Sequence, residues 1–273
     1  MKYFVIIFFC LLGITTASLS SCSGCIEYKP PNNQSQIKCD AIMKRAMRYE
    51  DISHPGPVYI VLCDFTASMD PGSIAYVKES AQTIFDKYYG KATIKFYPVT
   101  KASIRPMYEN VSTKIDSERI SQVDFHNYER CLYSSKEAIA KGLTVTLDSV
   151  SAAHPHETYI IQSVENAIHV INAHDPKHTA KNRIFILSDM LEYQGACASD
   201  INLEDGEYQR DLRLLDTAYG ISNPSIDNYI DINIAYYSNG KLIKLRQLTT
   251  FWNIVFKKLG YSTPIELRSE LKF

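Results

Sequence analysis

Neither sign of charge is in excess: 29 Lys and Arg face 30 Asp and Glu over 273 residues, a formal net charge of −1. A basic nucleic-acid footprint is therefore not favoured. There is no collagen period, no sustained heptad, no internal repeat and no low-complexity tract. No GxxxxGK[ST] or GxGxxG run is present, so nucleotide binding has no support, and no GxSxG elbow is present for a serine hydrolase. HExxH is missing as well. Tryptophan occurs once, yet 19 Tyr and 11 Phe bring apolar residues to 45% of the chain. That argues for a folded protein with a sizeable core rather than a disordered one.

Long apolar runs are also scarce, and the first one is informative. Residues 3–14 are uncharged and apolar behind a single Lys2. The run is too short to span about 30 Å of hydrocarbon comfortably and reads as a secretory signal. It leads to Leu19-Ser20-Ser21-Cys22, which resembles a bacterial lipobox. By that resemblance 1–21 is the signal peptide and Cys22 is the lipidated residue. The chain is then expected to sit in a bacterial cell envelope, facing periplasm or surface and held on a membrane by several acyl chains. The Pro- and Asn-bearing stretch 22–54 is expected to act as a tether or N-terminal extension. Cys39, Cys63, Cys131 and Cys197 remain with Cys25. Cys63 lies within an apolar strand; such a compartment allows one or two disulfides among the other four, and spacing leaves the pairing open.

From residue 55 to 273 the pattern is that of one α/β domain. Apolar runs at 58–63 and 183–187 read as strands buried on both faces. Strands are also expected at 92–97 and 231–237. Helical stripes are expected over 74–88, 160–171, 207–219 and 246–259, with weaker helical signal over 132–150. Strands alternating with helices imply a doubly wound, mostly parallel sheet flanked by helices, of Rossmann-like type. Ligands in such sheets bind beyond the carboxyl ends of the strands, and two strands here end in a carboxylate, Asp64 and Asp189.

Behind the first lies Asp64-Phe65-Thr66-Ala67-Ser68, and Thr158 stands just ahead of the 160–171 stripe. Few carboxylates with several neutral hydroxyls suit a hard divalent cation, Mg²⁺ or failing that Mn²⁺ or Ca²⁺. In order and spacing these elements resemble the von Willebrand factor type A domain and its metal-ion-dependent adhesion site. That site takes DxSxS after the first strand, a Thr leading a later helix, and an Asp after a later strand. Asp64, Thr66 and Ser68 match the first element, with Thr for the first Ser; Thr158 and Asp189 match the others. The resemblance implies that Thr66, Ser68 and Thr158 coordinate the ion and that Asp64 and Asp189 act mostly through water. A protein partner would then supply an Asp or Glu carboxylate, and the chain would be an adhesion module rather than an enzyme. Met190 departs from the glycine many members carry after this Asp.

Rival readings are a metal-independent envelope scaffold and, less well supported, a metal-dependent hydrolase. A dehalogenase-type phosphatase needs a second Asp where Thr66 stands. A zinc hydrolase would have to draw on His154 and His156 with Asp189 or Glu192, and a third His motif is missing.

Overall fold

The computed structural model describes residues 33–51, 55–66, 69–101, 105–112, 114–116, 118–153, 155–195, 201–203, 207–218, 225–238 and 245–271. Five strands form one sheet: β1 (Val58–Cys63), β2 (Thr93–Pro98), β3 (Tyr108–Asn110), β4 (Asn182–Ser188) and β5 (Ile230–Tyr236). Their order is β3-β2-β1-β4-β5. All neighbours run parallel except β3, which pairs antiparallel with β2. The helices are α1 (Asn33–Ala46), α2 (Pro71–Tyr88), α3 (Gln122–Ser134), α4 (Lys136–Ser151), α5 (Ile160–His174), α6 (Tyr208–Ala218) and α7 (Leu245–Lys258).

Alternation along β1 and the centre of β4 explains their unbroken apolar sequences. Val58, Ile60, Leu62, Ile184 and Ile186 point to one face and pack with α5, α6 and α7. Val61, Cys63, Phe185 and Leu187 point to the other and pack with α2 and α4. A strand covered on both faces cannot spare a position for a polar residue. This gives the expected α/β sandwich with helices on both faces. Helix α2 starts at Pro71, three residues ahead of the expected stripe: Asp70 accepts from the N–H groups of Gly72 (2.8 Å) and Ser73 (3.1 Å), with Pro71 in the first turn. Its end is Gly90, at φ +73°, where a Cβ would stand 2.8 Å from Leu132 Cδ2. The positive φ favours glycine there, and a Cβ would also press on the end of the Leu132 side chain.

Two features depart from expectation. The short edge strand β3 has no apolar alternation to betray it. The stretch 132–150, expected to be partly helical, falls mostly in α4, and the helix ahead of it, α3, which meets α4 at Ser135, was not expected. Helix α3 packs mainly on α1 and α4, and only Tyr128 and Cys131 along it are buried.

Of the 22–54 stretch read as a tether or extension, residues 33–51 are described, and they are folded onto the domain. Ile42, Met43 and Ala46 of α1 pack with Tyr128 of α3 in a small separate core. A disulfide joins Cys39 to Cys131, 92 positions apart, with 5.3 Å between Cα atoms. Glu50 bridges to Ile115. Cys63 is a buried free thiol, and burial pushes its pKa up. The signal segment 1–21, Cys22, Cys25 and Cys197 lie outside the described residues. Among the described residues no helix is long and apolar enough to cross a membrane.

Candidate functional site

The sheet order places the topological switch between β1 and β4, because the chain moves outward from β1 to β2 and later returns to the other side as β4. At that point adjacent crossovers leave a crevice beyond the carboxyl ends. Asp64 is the first residue after β1, and Asp189 the first after β4.

The two strand ends are tied together. The Ser188 hydroxyl donates to Asp64 Oδ2 at 2.7 Å and accepts from the Met190 N–H at 2.8 Å. Asp64 N donates to the Leu187 carbonyl at 3.0 Å. Asp64 Oδ1 accepts from Thr66 N at 3.1 Å, closing the turn that carries the Thr66 hydroxyl. Asp189 Oδ1 accepts from Leu191 N at 3.1 Å in the same manner.

Thr158 comes from a third segment, joined to the loop that follows Asp189. Its backbone exchanges two hydrogen bonds with Tyr193, at 2.8 and 3.1 Å. One residue before Tyr193, Glu192 turns inward and caps α5. Its Oε2 accepts from Ile160 N (2.6 Å) and Ile161 N (3.3 Å), and its Oε1 from Gln194 Nε2 (2.7 Å). The helix start that carries Thr158 is therefore fastened to the segment that carries Asp189. Asp64, Thr66, Thr158 and Asp189 are each at most 2% exposed. Ser68 and His154 lie outside the described residues. His156 is exposed.

Electrostatics single out Glu192. Burial pushes its carboxyl up to about 8, with the negative charge of nearby Asp64 adding to the shift and its hydrogen bonds opposing it. Tyr236 is pushed up as well, by burial and then by Asp189. Three buried carboxyl groups thus share this end of the sheet, a concentration of acceptors that favours a proton or a cation among them. The side chains are all hard oxygen donors, and that chemistry fits a Mg²⁺-like ion. Among the described residues no group of three or more His, Cys, Asp and Glu side chains is arranged to hold a metal ion. The candidate set relies instead on two carboxylates and on hydroxyls.

Met190 adopts φ +60°, the left-handed region that favours glycine. Two bonds hold it there: its N–H to Ser188, and its carbonyl accepting from Trp252 Nε1 at 2.9 Å. Its side chain is buried in the core with α7. The backbone shape suited to glycine is thus kept without glycine, at a cost of about 1–2 kcal/mol.

Sequence reasoning missed Ser188 as the tie to Asp64, and it weighed Glu192 only as a zinc ligand. A glutamate in an otherwise apolar Met190-Leu191-Glu192 run directly after a buried strand is the signal that could have found it. No protein-family model matches this chain, and no curated protein matches it.

Proposed function

We propose that this chain is a membrane-anchored bacterial lipoprotein whose α/β domain is of von Willebrand A type and binds a protein partner through a divalent cation. Thr66, Ser68 and Thr158 would hold the ion, with Asp64 and Asp189 as close carboxylates, and Cys22 would carry the lipid. Neutral hydroxyl ligands leave the ion much of its charge, so a partner's Asp or Glu carboxylate is the group best suited to complete its shell. No catalytic step is assigned.

The observation that carries this reading is the meeting of three distant chain segments at the switch between β1 and β4. Asp64 and Thr66 follow β1, Asp189 follows β4, and Thr158 leads α5 under the Tyr193 pairing. Calorimetric titration of Mg²⁺ and Mn²⁺ tests it. Wild type should bind one ion, and Asp64→Ala and Asp189→Ala should bind none while remaining folded. An unchanged isotherm in both variants would place the ion elsewhere and defeat the reading. Fatty-acid labelling of Cys22→Ala tests the anchor separately.

The burial of all four described donors favours a second reading, an envelope scaffold that engages partners without metal. A partner retained equally well in chelator would decide for it.

A further inference from the structure

At the opposite end of the sheet from Asp64 lies a cavity of about 340 Å³ that the adhesion reading does not use. Gly56 and Pro57 ahead of β1, and Gly90 and Lys91 ahead of β2, form its floor. Its far wall is one face of α3: Phe125, Tyr128, Glu129, Leu132 and Tyr133 recur at helical spacing and all line it. Helix α3 is held mainly by α1 and α4, and Leu132 of this stripe also packs against the core that covers the sheet. Tyr128 also packs with Ala46 of α1, and Leu132 approaches Gly90, while Phe125, Tyr128 and Tyr133 line the remaining volume. Phe125 and Tyr128 stand 6.3 Å apart, tilted by 32°.

The charged lining is uneven. Lys91 and Lys114 oppose the single carboxylate of Glu129, leaving one net positive charge. Lys114 is spoken for in part, by Asp51 at 3.4 Å. Lys91 forms no ion pair among the described residues. The volume sits at the small end of ligand pockets, enough for one or two fused rings.

We propose that this cavity binds a small flat molecule bearing one carboxylate, its rings against the Phe125 and Tyr128 face and its acid group at Lys91. The proposal is independent of the cation site and of its partner.

Calorimetry on the purified full-length protein with 2-naphthoate, and with 2-naphthylmethanol as the uncharged body, tests it. The acid should bind once per chain and about fivefold more tightly than the alcohol, the upper end for one exposed ion pair. Lys91→Met should bring the acid to the alcohol's affinity and leave the alcohol unchanged. Ser112→Trp, which fills the cavity from its rim, should remove both, with thermal melts verifying that each variant is folded. Asp64→Ala should leave both ligands unaffected. Absence of saturable binding, equal binding of acid and alcohol, or loss of binding in Asp64→Ala but not in Ser112→Trp would overturn the proposal.

Discussion

Glu192→Gln is the most informative single change, because its effect has a sign that depends on pH. In the unfolded chain this carboxyl titrates near 4.5; in the folded protein it is pushed up to about 8 by burial and by Asp64. Between those values the native state keeps a proton that the unfolded state has released. Native protein therefore binds more protons, and stability must fall as pH rises. The contribution is full below about pH 4.5 and is lost by about pH 8. One proton corresponds to about 1.4 kcal/mol for each pH unit across that window. The neutral amide resembles the protonated acid in charge and still accepts from Ile160 N, though one acceptor is lost. At pH 5 the variant should be somewhat less stable than wild type, by about 1 kcal/mol for the lost bond. By pH 8.5 it should be the more stable of the two. Urea unfolding at half-unit pH steps measures both, with the difference between the two proteins cancelling every other titrating group. Parallel curves from pH 5 to 8.5 would refute the assignment of a proton to Glu192.

Three further outcomes are expected. Cys131→Ser opens the link to Cys39 across 92 positions and should cost about 3–4 kcal/mol, matched by wild type in reductant, as read from urea midpoints. Gly90→Ala must accept φ +73° and a 2.8 Å approach to Leu132, so a loss of about 1–2 kcal/mol is expected in thermal melts. Trp252→Phe removes the Nε1 donor to the Met190 carbonyl and empties buried volume. A loss of about 2–3 kcal/mol by circular dichroism would follow, and a change under 1 kcal/mol would mean that Met190 holds its shape without Trp252.

Much of the fold was legible because the central strands are buried twice over. Val58–Cys63 and Ile184–Leu187 read as continuous apolar runs since both faces meet helices. Helices α2, α5 and α7 declared themselves by a stripe facing the sheet. Helix α3 did not, since it lies on other helices and lines a cavity, and β3 spans only three residues at the edge. At the site, Asp64, Thr66, Thr158 and Asp189 were legible because each sits at a boundary between a clear element and a loop. What was not legible is how the loops are secured. The Ser188 tie is a side-chain bond between strands 124 positions apart, and the Glu192 cap joins a helix start to a residue 32 positions later. Neither has a local sequence period.

The Cys39–Cys131 bond also settles how the molecule carries load. Tension applied between the two ends of the chain enters through α1, and at Cys39 it meets a covalent shortcut to α3. Everything between residues 39 and 131, including β1, α2, β2 and the turn holding Asp64 and Thr66, then lies on a slack branch. The strain path runs instead from Cys131 through α4, the Thr158 segment, α5 and β4. The Ser188 side of the Asp64–Ser188 tie thus lies on the covalent path between the ends, and the Asp64 side lies off it.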